Sequence, residues 1–236
     1  MKSFLNSKKA NWLQIEKRLL KFSPLWVVIF WLAFLGLITH YFSNITLESQ
    51  RRDNLFRQQP KLSFLRTIDD AGHVSSVSQL AINTHKVLIT EFIYTQCKTL
   101  CLSLGNTFQQ TQAQIIEKNL ATQLGLVSIS FDLAHESSYT LQAYRQRMHA
   151  DPQVWTLVKM QDDHVLAAVK SMLGLMVIAD KQQDFVHNSA FIVVSQTGHV
   201  IGIFEPTDMS DAIALALKQI ALKPLVTVTQ QAAFSS

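Results

Sequence analysis

The longest uncharged apolar stretch of the chain lies near its N-terminus. Residues 24–42 read PLWVVIFWLAFLGLITHYF, nineteen positions without Asp, Glu, Lys or Arg. A helix of that length crosses the roughly 30 Å hydrocarbon layer of a bilayer. Trp26, Trp31 and Tyr41, toward its ends, suit the membrane interface. A cleaved signal peptide would be followed by an Ala-x-Ala-like site, and residues 39–44 contain none. The pattern therefore predicts one retained transmembrane anchor over residues 24–42.

Beyond this stretch, short apolar runs alternate with segments of helical periodicity. Residues 43–60 are polar and are predicted to be a linker. The remaining pattern predicts an early hairpin with its turn at 69–72, with residues 73–77 as its return strand, and strands at 87–95, 126–131 and 154–158. It predicts helices at 97–124 and 162–173, and between them a helix that is capped by Ser137 or Ser138 and ends at Met148. A hairpin over 189–204 and a closing helix at 211–222 complete the pattern. Gly125 is the predicted left-handed cap of the helix at 97–124.

This order of elements predicts a thioredoxin-like α/β sandwich, in which a central mixed sheet is flanked by helices. A strand, a helix and a second strand form a right-handed crossover. A further helix, an antiparallel hairpin and a closing helix follow. We place this domain at residues 61–224 and a C-terminal tail at residues 225–236. A chain of 236 residues is long enough for one such core and an appendage.

Charge is distributed unevenly along the chain. Residues 1–23 hold six Lys or Arg residues against the single Glu16, a net charge of +5, so the whole-chain charge of +4 leaves −1 for residues 24–236. Because positive segments stay in the cytoplasm, we expect a basic cytoplasmic tail at residues 1–23. The globular domain is then expected in the periplasm, tethered to a bacterial inner membrane. That domain carries no basic signal for nucleic acid and no glycine-rich motif for a nucleotide.

The only two cysteines, Cys97 and Cys101, lie four residues apart where the predicted strand turns into a helix. At helical spacing their Cα atoms are about 6 Å apart, within reach of a disulfide or of one metal ion. A helix N-terminus and the neighbouring Lys98 favour the thiolate. A thiolate is the nucleophile of disulfide exchange and a soft ligand for copper(I) or zinc. The plainer interpretation is a pair of small buried apolar residues.

His187 differs from the other histidines in its context. It belongs to the segment 182–188, which is predicted to be a loop opening onto the strongest C-terminal strand. In a thioredoxin-like layout that loop faces the cysteine turn. A neutral imidazole with two thiolates makes a three-coordinate site for copper, either as Cu(I) or as Cu(II). The other histidines lie in turns, on polar segments or, for His40, at the membrane edge of the apolar stretch, and exposure to solvent is the simpler expectation for them.

Several short motifs occur along the chain in the same order as in one known protein family. They are Tyr94-Thr95-x-Cys97-x-x-x-Cys101, Ser128-Ile129-Ser130-Phe131-Asp132, Tyr144, Asp151-Pro152-x-x-Trp155 and Val186-His187-Asn188. With the N-terminal anchor, they make residues 61–222 resemble the Sco/SenC family, whose members are membrane-anchored, copper-binding, thioredoxin-like proteins of cytochrome c oxidase assembly. The chain departs from the family pattern at Leu102, where Pro is common, at Asn188, where Ser or Thr is usual, and within residues 132–137.

The resemblance implies a function and a set of site residues. Cys97, Cys101 and His187 are expected to bind copper, and the chain is expected to be a metallochaperone. Its protein partner would be a cytochrome c oxidase subunit or a copper donor. Asp132 matches an acidic position of the family and is expected to support the site or face a partner, although an Asp that caps its own loop fits equally well.

Two other functions remain open on the sequence. The first is an enzyme, a thiol–disulfide oxidoreductase that acts on periplasmic protein disulfides. In it Cys97 and Cys101 would be the redox-active pair and His187 would have no part. The second is a redox or copper sensor that signals through a membrane partner.

Overall fold

The structure is a computed structural model that describes residues 24–38, 54–96, 100–179, 185–188 and 190–233. Two compact units are separated between Arg51 and Arg52. In the first unit the described residues form one helix, α1 (Pro24–Ile38), of fifteen residues without a charged side chain. No helix in the described ranges is both long enough and apolar enough to cross a bilayer. Residues 1–23 and 39–53 of the predicted tail, anchor and linker lie outside the described residues.

The second unit contains the strands and helices that form the globular domain. Its strands are β1 (Arg66–Asp69), β2 (Val74–Ser76), β3 (Val87–Ile93), β4 (Leu124–Ser130), β5 (Trp155–Met160), β6 (Val177–Ala179), β7 (Phe185–His187), β8 (Phe191–Val194) and β9 (Val200–Phe204). Its longer helices are α2 (Val77–Thr84), α3 (Leu100–Glu117), α4 (Ser138–Met148), α5 (Asp163–Met172) and α6 (Met209–Ala233).

Seven of the strands form one mixed sheet in the order β2-β1-β5-β4-β3-β8-β9. The central strands β3, β4 and β5 are parallel, whereas β1 and β8 pair antiparallel to them. Every residue of β3 and β4 is buried. Parallel strands are usually covered on both faces of the sheet, which explains why both sequences are nearly continuous apolar runs. The structure therefore confirms the predicted mixed sheet and its central strand before the cysteines.

Helix α3 follows β3 and packs back across the sheet. The Phe108 ring lies 5.5 Å from the Trp155 ring and 5.6 Å from the Phe191 ring, centroid to centroid. At Gly105 a Cβ atom would lie 3.0 Å from Met148 Sδ and from the Tyr144 hydroxyl, so the glycine admits α4 to close contact. These contacts fix the first turn of α3, which contains Cys101, at the edge where β3 ends.

Capping side chains explain where two of the helices begin. Ser137 caps α4 through a reciprocal pair of hydrogen bonds with Thr140, and Asp162 caps α5 by accepting from the Val165 N–H. Ser137 is one of the two caps that the sequence offered for α4, whereas Asp162 was predicted to lie inside the first turn of α5 and instead precedes it.

The end of α3 was predicted wrongly. Asn119, with φ of 55°, is the left-handed residue, and the Leu120 N–H donates to the Ile115 carbonyl in a Schellman arrangement. Gly125 instead lies inside β4, because its neighbours Leu124 and Leu126 pair with β3.

Four further elements differ from expectation. Helix α2 was not predicted, and it begins directly after β2 because the Ser76 side chain accepts from the Gln79 N–H and caps a helix there. Strand β7 lies within residues 182–188, which were predicted to be a loop, and it pairs antiparallel with β6, which was not predicted. Helix α6 continues past its predicted end at Leu222 to Ala233, since no glycine or second proline follows Pro224.

Candidate metal centre

The two cysteines bound residues 97–101, named here the cysteine turn, which follow the end of β3 closely in the sequence. Residues 97–99, which include Cys97, lie outside the described residues. The side chain of Cys101 also lies outside them. The backbone of Cys101 is in the first turn of α3. The predicted position of the pair, between a buried central strand and a helix, is therefore confirmed for Cys101.

Tyr94 and Thr95 are the residues that lead from β3 into this turn, and both are buried. The Thr95 N–H donates to Glu136 Oε1 at 2.8 Å, and Arg147 Nη2 donates to the Thr95 carbonyl at 2.7 Å. The Tyr94 hydroxyl lies 3.4 Å from both the nitrogen and the carbonyl oxygen of Phe185, and so connects this strand end to β7.

His187 is the last residue of β7 and is only 7% exposed. Its Nδ1 lies 3.0 Å from the Asn188 carbonyl oxygen, which can only accept, so Nδ1 carries the proton and Nε2 carries the lone pair. Burial lowers the pKa of the imidazole below its ordinary value of 6.5, and the bond to Asn188 opposes this only in part. The ring is therefore neutral at neutral pH, the form that binds a metal ion.

Aromatic contacts place this imidazole beside the ends of the two central strands. Its ring centroid lies 6.0 Å from that of Tyr94, just after β3, and 5.0 Å from that of Phe131, just after β4. The carboxyl ends of parallel strands share one edge of a sheet. His187 and the start of the cysteine turn thus lie at the same edge, although they are ninety residues apart in sequence.

Asn188 ties the strand that carries His187 to the end of α5. Its Nδ2 donates to the Gly174 carbonyl at 3.0 Å, and its Oδ1 accepts from the Met176 N–H at 2.7 Å. A shorter Ser or Thr side chain has only one polar atom for this pair of bonds. The residue that departs from the family pattern thus has a clear local role.

Asp132 is buried at the end of β4 and bonds within its own loop. Its Oδ1 accepts from the His135 N–H at 3.3 Å, and His135 Nδ1 lies 3.0 Å from both carboxylate oxygens. These contacts close the turn at residues 132–135. They are those of a loop-capping Asp, the alternative to a supporting role in the site.

The described residues include no group of three His, Cys, Asp or Glu side chains that could hold a metal ion. Neither cysteine sulfur belongs to the described set, so His187 is the one predicted ligand whose side chain the structure places. The chemistry of that side chain fits copper, since it is neutral, buried and oriented through Nδ1 by a carbonyl group.

Glu136 and Arg147 are the residues that sequence reasoning missed. A signal existed for Glu136, because it occupies the second acidic position of the segment 132–137, where the Sco/SenC pattern commonly has Asp. Arg147 gave no such signal. It lies on α4, fifty residues beyond Cys97, and only the fold brings it to Thr95.

The mixed sheet and the crossover through α3 define a thioredoxin-like α/β protein. A model of the SCO1/SenC family matches residues 66–222. The chain therefore belongs to the SCO1/SenC family, as the motifs predicted. No curated protein sequence matches it significantly.

Solved structures agree with this fold. The chain is similar to BsSco, with 16% identity and a TM-score of 0.56 over 70% of this chain and 98% of that one. BsSco is described as having a disulfide switch and as a member of the Sco family of cytochrome c oxidase assembly proteins. It is similar to a SCO1/SenC family lipoprotein from Bacillus anthracis str. Ames, with 21% identity and a TM-score of 0.55 over 64% and 92%. It is also similar to Arabidopsis thaliana ScoI with copper bound, with 15% identity and a TM-score of 0.53 over 66% and 96%. These similarities show the thioredoxin-like fold.

Proposed function

We propose that the chain is a copper-binding metallochaperone that delivers copper to a cytochrome c oxidase subunit, with Cys97, Cys101 and His187 as the ligands. The observation that carries the proposal is the position of the His187 imidazole. It is neutral and buried, and it packs on Tyr94, three residues before Cys97.

The donor set suits copper as a cargo. Two thiolates are soft ligands that select Cu(I), and an imidazole also accepts Cu(II). Because a disulfide has no thiolate to offer, the Cys97–Cys101 pair must be reduced before copper binds. The relatives support this assignment, since Arabidopsis ScoI was solved with copper bound and BsSco is described as a member of a family of oxidase assembly proteins.

The location is part of the same proposal. Residues 24–42 would anchor the chain in a bacterial inner membrane, with residues 1–23 in the cytoplasm and the globular domain in the periplasm. The uncharged sequence of this stretch and the basic tail before it support the orientation. Alkaline extraction of membranes tests it. The full-length chain is expected to stay in the membrane pellet, and its release into the supernatant would contradict the anchor.

Metal counting tests the copper site directly. The full-length chain is reduced, loaded with Cu(I) and desalted, and the bound copper is measured for the wild type, Cys97→Ser and His187→Ala. His164→Ala is the matched control, because His164 is an exposed residue of α5. We expect one copper per chain in the wild type and in the control, and a loss of tight binding in the other two. Weak, nonstoichiometric binding that His187→Ala leaves unchanged would contradict the proposal.

The alternative function is a thiol–disulfide oxidoreductase acting on periplasmic protein disulfides. The placement of Cys101 in the first turn of α3 favours it, because a helix N-terminus stabilises the thiolate that attacks a disulfide. Insulin reduction by a dithiol-regenerated chain measures this activity. Rapid turnover that His187→Ala leaves intact would favour the enzyme over the metallochaperone.

A further inference from the structure

Two charged side chains hold the backbone on either side of Thr95, two residues before Cys97. Glu136 accepts from the Thr95 N–H at 2.8 Å, and Arg147 donates to its carbonyl oxygen at 2.7 Å. Hydrogen bonds with an ionised partner are roughly twice as strong as those between neutral groups. The chain is therefore fixed from both sides just before it enters the cysteine turn.

Glu136 is itself locked in place by its surroundings. The residue is 5% exposed, its Oε2 accepts from the Thr140 hydroxyl at 2.9 Å, and its carbonyl oxygen accepts from Lys159 Nζ at 2.9 Å. The contact from α4 thus holds the carboxylate, and the contact from β5 holds the backbone of Glu136. A side chain locked in this way can hold its own partner within a narrow range of geometry.

Arg147 is oriented by α4, the helix that packs against α3. Its guanidinium carbon lies 5.0 Å from the centre of the Tyr144 ring, a cation–π contact. Tyr144 is 1% exposed and approaches Gly105 in α3. The group that holds the Thr95 carbonyl is therefore positioned by the same packing that positions α3.

A backbone N–H at the end of a strand can be satisfied by water or by a neutral side chain. A buried carboxylate is a costly choice for that task, because an ion loses its hydration on burial. That cost is explained if the Thr95 peptide must be held in one exact position. The geometry points to Glu136 and Arg147 as positioning residues of the copper site, which fix the Thr95 peptide so that Cys97 reaches the same copper ion as His187. This inference rests on the proposed function.

The test measures Cu(I) affinity of the full-length chain by competition with a colorimetric chelator. Arg147→Gln and Glu136→Ala each remove one of the two bonds to Thr95, and we expect each to weaken Cu(I) binding about tenfold, the lower end of the range for contacts that support a metal site. Glu136→Gln keeps an oxygen that accepts from the Thr95 N–H, but in a weaker, uncharged hydrogen bond. We expect it to lose less affinity than Glu136→Ala, and an equal loss in the two variants would contradict a role for this bond.

Arg145→Gln is the matched control. Arg145 lies two residues earlier on α4, and its guanidinium pairs with Asp70 at 2.8 Å rather than with Thr95. We expect this variant to bind Cu(I) as tightly as the wild type. Wild-type affinity in Arg147→Gln would overturn the inference, and so would an equal loss in Arg145→Gln, which would indicate a general effect on the domain.

A copper-free readout separates this inference from the proposed function. The reduction potential of the Cys97–Cys101 pair, measured against glutathione, is expected to shift in Arg147→Gln and to stay unchanged in Arg145→Gln. If copper binding proves independent of His187, the proposed function fails. The potentials then still decide the inference, because equal potentials in both variants would show that the Thr95 bonds do not position the cysteine turn.

Discussion

Glu91 is an ionisable residue in the middle of the central strand β3. Its Oε1 accepts from the Ser128 hydroxyl at 2.6 Å, and that hydroxyl oxygen in turn accepts from Trp155 Nε1 at 2.8 Å. Its Oε2 is buried without a hydrogen-bond partner among the described residues. Burial raises the pKa of this carboxyl to about 8, against which the Ser128 bond acts only weakly, so the group is largely protonated at neutral pH.

Glu91 therefore makes the stability of the domain depend on pH. Because the carboxyl binds its proton more tightly in the folded chain than in the unfolded chain, the free energy of unfolding should fall as pH rises from about 4.5 to about 8. Glu91→Gln removes this dependence. As the pH rises through that range, the free energy of unfolding of the variant should therefore increase relative to that of the wild type by roughly 2–4 kcal/mol. Urea titrations at several pH values measure it.

The exposed Glu117 in α3 provides the control for this prediction. Glu117→Gln should leave the pH profile of the wild type unchanged. Parallel profiles for the wild type and Glu91→Gln would show that the buried carboxyl does not titrate in this range.

The Tyr94 hydroxyl is a second residue with a testable local effect. Tyr94→Phe keeps the ring packed on His187 but removes the two contacts with Phe185, each worth about 0.5–1.5 kcal/mol. We expect faster amide hydrogen exchange at Phe185 and His187, with little change in β3. Tyr139→Phe, at a side chain that is 79% exposed, is the control. Unchanged exchange in Tyr94→Phe would mean that other contacts hold β7.

At the scale of elements, the turn between β8 and β9 packs tightly on the start of α2. Gly198 has φ of 83°, its carbonyl oxygen accepts from the Leu62 N–H, and a Cβ atom placed on it would lie 2.7 Å from Ser78 Cα. A backbone atom cannot move aside as a flexible side chain does. The glycine is therefore required for its conformation and for the space it leaves.

A pair of glycines separates these two requirements. Gly72 has a similar φ of 88°, but a Cβ atom there meets nothing within 4 Å. Gly72→Ala should cost about 1 kcal/mol for the left-handed backbone alone. Gly198→Ala should cost at least about 2 kcal/mol more, because α2 must shift. Thermal unfolding compares the two, and equal losses would contradict the tight packing of this turn.

Elements were predictable from the sequence where a single local signal decided them. The apolar run of β3, the Ser137 and Asp162 caps and the turn at Gly198 each carried such a signal. The end of α3 was misassigned, because pairing with β3 drew Gly125 into the sheet and left the left-handed position to Asn119. The hairpin of β6 and β7 was missed, because two three-residue strands are too short to show a period.

For the whole molecule, the sequence could name candidate ligands but could not assemble them. His187 was selected from its context, and the fold places its ring beside Tyr94 and Phe131, at the ends of β3 and β4. The bonds of Glu136 and Arg147 to Thr95 were out of reach, because they join residues forty or more positions apart that share no motif spacing. Single candidate ligands can thus be identified from the sequence, whereas the contacts that support them depend on the topology of the fold.

In the proposed site one copper ion is shared by both cysteine sulfurs and the His187 imidazole. X-ray absorption at the copper edge of the Cu(I)-loaded full-length chain observes these neighbours, because sulfur and nitrogen scatter differently and imidazole gives characteristic outer-shell features. We expect two sulfur neighbours and one imidazole nitrogen in the wild type, and loss of the imidazole signal in His187→Ala. An imidazole signal that persists in His187→Ala, or a wild-type spectrum with sulfur neighbours alone, would contradict it.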